Sequence, residues 1–221
     1  MDGEPLSYWR SAAEDAAMQD DHVFVWKAML DGVGADLVGR RVLEVGCNRG
    51  GFLRLAIDGW AIAGGWGYDP AAAAVADARR LTGRRHLHFE VADTVPDGWR
   101  GFDAAFSHEV LYLIHDLRAH AEAVFAALAP GGSYYAVIGM HTGSPVAVDW
   151  HRTHAPELAL PALYDIDDVV VSFAAAGYEA AASRLNLGFI PTAGHVPGLL
   201  EWLDYYNETK LLLRFTRPPS R

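Results

Sequence analysis

The sequence predicts an α/β fold: a parallel sheet covered by helices on both faces, with a helical cap in front of the first strand. Three observations carry this. Short apolar runs alternate with amphipathic segments from Arg41 to Thr216, the pattern left by strands joined through crossover helices. A glycine-rich turn directly follows the first apolar run, where a strand hands over to a helix. Finally, 221 residues, 51% of them hydrophobic and 21% charged, are enough for one substantial core. No run of 18 apolar residues is present to span a bilayer.

The elements are read in order. Residues 1–38 contain two helical segments, about 8–18 and 22–36, and form the cap. Arg41–Val45 is the first strand and Gly51–Asp58 its helix. Trp66–Asp69 and Ala71–Leu81 repeat the unit, and His86–Val91 is a third strand. Phe102–Ser107 is the fourth strand and Leu117–Leu128 a helix. Ala129-Pro-Gly-Gly132 is a turn, since Pro cannot continue a helix and Gly supplies positive φ. Ser133–Met140 is the fifth strand. Asp165–Ala176 is a helix closed by Gly177, Tyr178–Asn186 a strand, Leu199–Tyr206 a short helix and Lys210–Thr216 a strand. The last two strands lack a full crossover between them, which predicts an antiparallel edge pair. Residues 39–221 are thus one domain, with insertions at about 141–162 and 187–200 expected as loops that shape a pocket.

Composition excludes several functions. A formal net charge of −10 repels phosphate backbones and anionic membranes, so neither nucleic acid nor a membrane is an expected partner. The N-terminus is acidic, without a basic-then-apolar leader pattern, and Cys47 is the single cysteine. Both features lead to the expectation of a cytoplasmic protein without disulfides. Cys47 follows an apolar run inside the glycine turn and is read as a packing residue. Oligomeric state is not legible.

The informative segment is Val42-Leu-Glu-Val-Gly-Cys-Asn-Arg-Gly-Gly51. Gly46 and Gly50 permit a sharp turn and close approach to a ligand, and the helix start beyond them offers N–H groups. Dinucleotide enzymes share such a turn, but here Glu44 ends the strand, where a pyrophosphate is repelled, and Asn48 replaces the middle glycine of their fingerprint. Asp69, 25 positions after Glu44, ends the second strand where a carboxylate can accept both ribose hydroxyls. A cationic sulfonium suits this acidic surround better than a nicotinamide dinucleotide.

Taken together, these segments resemble class I S-adenosylmethionine-dependent methyltransferases. Glu44–Gly50 is similar to their first motif, Gly67-Tyr-Asp69-Pro70 to their second, and Val91-Ala-Asp93-Thr94 to the third-strand motif. Ser107-His-Glu-Val-Leu-Tyr112 resembles their fourth-strand segment, and Pro130-Gly-Gly132 the turn before their fifth. The resemblance covers residues 40–140. It implies a three-layer sandwich around a seven-stranded, mostly parallel sheet whose last strand is antiparallel. It also implies S-adenosylmethionine as cofactor, S-adenosylhomocysteine as product, and a cofactor site of Glu44, Gly46, Asn48, Gly50, Asp69, Pro70, Asp93, Thr94 and Ser107. Asn48 and Arg49 depart from the family's small residues.

Methyl transfer is an in-line displacement from an activated donor, so alignment supplies most of the rate. A base is needed only where the acceptor loses a proton, and histidine is its natural form. His108, beside which the resemblance puts the transferred methyl, and His141, after the fifth strand, are the candidates. Tyr112, Trp150 and His151 are expected at the substrate. His151 and His154, with Asp149 and His141 nearby, have metal-like spacing, but methyl transfer needs no metal and none is expected. Aromatic residues in the decorations point to a partly enclosed pocket and a small, secondary-metabolite-like acceptor. The histidines, with no lysine near the presumed site, favour oxygen over nitrogen or carbon. The alternatives are a methyltransferase fold kept as a non-catalytic cofactor-binding or scaffold protein, a nicotinamide-dependent oxidoreductase, and sulfonium-assisted chemistry other than methylation.

Overall fold

A computed structural model describes residues 12–33, 37–192 and 198–220, with side chains from residue 18 onward. Helix α1 (Ala12–Val33) leads into strand β1 (Arg41–Val45), α2 (Gly51–Gly59), β2 (Gly64–Asp69), α3 (Ala72–Leu81) and β3 (Leu87–Val91). The second half runs β4 (Phe102–His108), α4 (Leu117–Ala127), β5 (Leu128–Ile138), α5 (Pro145–Leu158) and α6 (Ile166–Ala175). It ends with β6 (Glu179–Arg184), α7 (Leu199–Asp204), a π-helical turn at Tyr205–Thr209 and β7 (Leu211–Thr216). Among the described residues no helix is long and apolar enough to cross a membrane.

The seven strands form one sheet in the order β3-β2-β1-β4-β5-β7-β6. Strand β7 runs antiparallel to both β5 and β6, and the other pairings are parallel. The expected seven-stranded mixed sheet is therefore what the chain builds. Because the order turns back at β1 and β4, connections from these two strands leave in opposite directions and open a crevice at their carboxyl ends.

Alternation along the strands splits the core between the two faces. On β1, Val42 joins Trp26, Met29, Phe52 and Val75 on one face, while Leu43 and Val45 join Leu117, Val124, Val169 and Phe173 on the other. Phe173 stacks on Phe215 of β7 at 4.0 Å between ring centroids, tying α6 to the sheet. A smaller cluster of Tyr112, Met140 and Ala147 with Trp150 and Leu160 lies under α5. Helices start at side-chain caps: Asp116 accepts from Ala119 N, Ser144 from Ala147 N and Asp165 from Asp167 N.

Three sequence readings are corrected. The two N-terminal helical segments are one helix: in the polar stretch Gln19–Asp21, Asp20 and Asp21 face solvent while Gln19 turns inward to accept from Arg54, so the stretch is a turn of α1 and not a break. Residues 1–11 and 34–36 lie outside the described residues. The 141–162 insertion, expected as a loop, contains α5, started by Ser144 and by Pro145, whose missing N–H costs nothing at a first helical position. The turn at residues 129–132 is a bulge within β5: Phe102 pairs with Leu128 but Ala104 with Ser133, and Gly131 sits at φ 82°.

Candidate functional site

The crevice deepens into a cavity of about 1050 Å³. Parallel strands bring their carboxyl ends to one edge, so residues distant in sequence meet there: Glu44 from β1, Asp69 from β2, Asp93 after β3 and His108 from β4. Gly46, Asn48, Pro70, Thr94, Tyr112 and Trp150 also line it. Gly50, Ser107, His141 and His151 are not among its lining residues.

Glu44 is buried, and its Oε2 has no hydrogen-bond partner among the described residues. Burial, and the neighbouring Asp69 carboxylate, push its pKa well above the ordinary carboxylate range. Tyr68 also lines the cavity, with a buried hydroxyl that has no partner among the described residues. Asp69 shapes the turn: Oδ2 accepts from Asn48 N at 2.9 Å and Oδ1 from Ala71 N at 2.8 Å. Asn48 takes the left-handed conformation at φ 44°, and its Oδ1 accepts from Arg49 N. An asparagine thus fills the family's glycine position with a local bond glycine could not make.

The glycines work differently from the sequence expectation. A Cβ on Gly46 would come within 2.6 Å of Val110, and one on Gly50 within 2.4 Å of the Phe89 ring. Both glycines answer to protein packing at positive φ, not to open ligand space. The start of α2 is likewise covered, since a Cβ on Gly51 would meet Gln19 and Trp26 of α1. Cys47 is 2% exposed and packs where Gly67 leaves room, 3.0 Å from Sγ to the position a Cβ would take. Burial, then Glu44 and Asp69, push its thiol pKa up. Iodoacetamide is therefore expected to label Cys47 only under denaturing conditions; rapid labelling of the native protein would contradict this packing.

The chemistry-bearing end of the cavity holds a cluster the sequence reading missed. His108 Nδ1 accepts from Trp26 Nε1 at 3.2 Å, and its Nε2 lies 3.2 Å from Lys210 Nζ. Lys210, 1% exposed, contacts Glu109 Oε1 at 2.6 Å and faces the rings of Tyr205 and Tyr206. Glu109, at φ 54°, folds back to accept from Gly139 N and from Tyr205 O–H. His22 of α1 lies edge-on to His108, 4.7 Å between centroids, and neither of its ring nitrogens has a hydrogen bond among the described residues. Burial, then the charge of Lys210, hold His22 down at about 4 and His108 well below the usual value. The expectation of no lysine near the site is overturned. Its one available signal was a lysine opening the run Leu211-Leu-Leu213, a cation placed where burial needs a partner.

Other predicted residues have different surroundings. His141 is buried with both nitrogens engaged: Nδ1 accepts from Gly143 N, so Nε2–H donates to Thr209 O at 2.9 Å. That leaves it no lone pair for a base, which corrects its candidacy. Ser107 Oγ accepts from Tyr134 O–H at 2.7 Å, away from the cavity. His151 bonds Pro161 O beyond the end of α5 and His154 bonds Trp150 O one turn back within it, so these histidines tie the helix to itself and to the segment that follows. Among the described residues no cluster suits a metal ion. The aromatic Phe189 is fully exposed, whereas Trp26, Trp202, Tyr205 and Tyr206 do line the cavity. Tyr8 and Trp9 lie outside the described residues.

Comparison with known proteins agrees with this geometry. The methyltransferase partner in the complex with the Haloferax volcanii Trm112 methyltransferase activator superposes with a TM-score of 0.82 at 24% identity, covering 95% of this chain and 96% of that one. An S-adenosylmethionine-dependent methyltransferase from Mesorhizobium loti gives 0.68 at 18% identity over 89% and 99%. Geranyl diphosphate C-methyltransferase from Streptomyces coelicolor A3(2) gives 0.70 at 15% over 98% and 89%. These likenesses show a shared fold. None of the curated proteins matches the sequence. The family model described as "Methyltransferase domain" matches residues 15–183, well over half the chain. The carboxylates at the strand ends, the glycine turn and this match make the chain a member of the class I S-adenosylmethionine-dependent methyltransferases.

Proposed function

We propose that the protein methylates a small molecule, with oxygen as the favoured acceptor atom, in the cavity between the glycine turn and α5. The observation that carries this is the continuity of one recess from Glu44 and Asp69 to an apolar chamber walled by Tyr112, Met140, Trp150 and Leu160. When bound, S-adenosylmethionine supplies an activated methyl; its transfer forms the acceptor–carbon bond, breaks the carbon–sulfur bond with the pair left on sulfur, and frees the acceptor's proton.

The residues present fit that cofactor. The unpartnered Glu44 Oε2 and Tyr68 hydroxyl are buried polar atoms that a ligand would satisfy, and a carboxylate suits a cationic ligand. Asp69 and Pro70, which line the cavity, would hold the ribose, and Asp93 and Thr94 the adenine. His108 stays as the positioning histidine, because the Trp26 N–H occupies its Nδ1 lone pair. His22 has a neutral ring without a hydrogen-bond partner among the described residues and takes the proton that the acceptor releases. The lone buried cysteine supports a cytoplasmic, reducing setting.

A second reading, methylation of a macromolecule with an activator partner, draws on the likeness to the Trm112-bound protein. The net charge and the partly enclosed, aromatic-walled chamber speak for the small molecule. The test uses methyl-labelled S-adenosylmethionine and extract of the source organism, followed by ultrafiltration. Label in the filtrate, dependent on Asp69, is expected; label retained on protein or RNA would favour the second reading.

A further inference from the structure

We infer that the acceptor is an uncharged molecule with an apolar body, and that the pairing of both cavity cations with carboxylates selects against phosphorylated or otherwise anionic acceptors. This rests on the small-molecule reading above and narrows it.

Among the described residues, the cavity wall carries two basic side chains, Arg49 and Lys210, against the carboxylates Glu44, Asp69, Asp93, Glu109 and Asp116. Neither cation is offered to a ligand. Arg49 Nε lies 3.0 Å from Asp77 Oδ2, and Lys210 Nζ lies 2.6 Å from Glu109 Oε1 at a side-chain exposure of 2%. Drawing Lys210 onto an anion would part it from Glu109, which is half-buried at a side-chain exposure of 14%, where an unpaired charge is costly. Burial holds His22 and His120 down at about 4 and His108 well below its usual value, and the remaining histidine of the wall, His115, is exposed to solvent and not enclosed in the chamber. The helix N-termini at the cavity are closed as well: that of α2 has no side-chain cap but is covered by Gln19 and Trp26 of α1. The N-terminus of α4, whose Ala119 lines the cavity, is capped by Asp116, and that of α5, beside Val146, is capped by Ser144. A phosphate needs a free cation or an open set of N–H groups, and the described residues of this cavity provide neither.

A positively charged acceptor is disfavoured from the other direction. The reacting atom must approach a sulfonium, and an ammonium at that point meets like charge. An uncharged nucleophile avoids both penalties, and the Tyr112–Trp150 edge-to-face pair, 6.0 Å between centroids, gives its body an aromatic wall.

The test is calorimetric titration of the S-adenosylhomocysteine-loaded protein with 1-naphthol and 1-naphthyl phosphate, which share one apolar body. Naphthol is expected to bind at least tenfold more tightly. In Glu109→Gln, which leaves Lys210 without its carboxylate, the phosphate is expected to gain about tenfold while naphthol changes little. Tighter binding of the phosphate to the wild type overturns the inference alone, as does a Glu109→Gln protein whose phosphate affinity does not move. Binding of neither probe by the loaded protein counts against the small-molecule reading itself, and the inference falls with it.

Discussion

Replacing Glu44 by glutamine is expected to weaken S-adenosylmethionine binding by about 2–3 kcal/mol, roughly a 30- to 150-fold loss, while making the ligand-free protein more stable. The two effects share one cause. In the free protein Glu44 is a buried carboxylate with an unpartnered oxygen beside Asp69, and both conditions raise its pKa. A carboxylate whose native pKa is raised lets the unfolded chain lose its proton first. Stability then falls as pH rises from the ordinary carboxylate value toward the raised native value. Glutamine keeps the shape and removes that burden. The melting temperature of the free variant should exceed wild type by roughly 2–6 °C at pH 8, and the gain should vanish below pH 4, where both side chains are neutral. Binding moves the other way, because the carboxylate faces a cation. The loss should be larger for S-adenosylmethionine than for S-adenosylhomocysteine, which lacks the sulfonium charge. A variant that melts lower than wild type and binds both ligands unchanged would make Glu44 a structural group and remove the main support for the cofactor assignment.

How far the sequence reached depended on how local each feature is. Glu44, Asp69, Asp93 and His108 were legible because each ends an apolar run, and parallel strands necessarily carry such ends to one edge. The turn residues between Gly46 and Gly50 were legible for the same reason, although their purpose was not. That Gly50 yields to Phe89, 39 positions away, is a packing fact with no local trace. The Lys210–Glu109–His108 cluster and the approach of His22 were invisible because they join segments 82 to 102 positions apart. They meet only after β7 inserts antiparallel beside β5 and α1 docks over α2. Helix α5 did leave a signal, Ser144 followed by Pro145, but its histidines drew the reading toward a pocket loop. The seven strands and the antiparallel last one followed from the family resemblance, whereas the order of the strands was not legible, because periodicity says where strands are and little about who their neighbours are.

Gly50→Ala is expected to destabilise the fold by about 2–5 kcal/mol, from two separable terms: about 1–2 for the left-handed backbone and 1–3 for overpacking. Gly50 sits at φ 69° as the N-cap of α2, and a methyl group there would lie 2.4 Å from Phe89 Cζ, 2.7 Å from Cε1 and 3.3 Å from Ala78 Cβ. The ring cannot swing away cheaply. Phe89 is 5% exposed, in the core between α2, α3 and β3, and its carbonyl accepts from Arg79 Nε at 2.8 Å. Gly39 supplies the control, with a similar φ of 72° and nothing within 4 Å of its would-be Cβ. Gly39→Ala should therefore cost only the backbone term, and the excess in Gly50→Ala measures the clash. Shortening the ring with Phe89→Leu should return much of that excess, so the two substitutions should couple favourably in a double-mutant cycle read by urea denaturation. Equal costs for Gly39→Ala and Gly50→Ala, with no coupling to Phe89→Leu, would mean that the ring relaxes. The first motif's last glycine would then be explained by its turn alone and not by the aromatic core behind it.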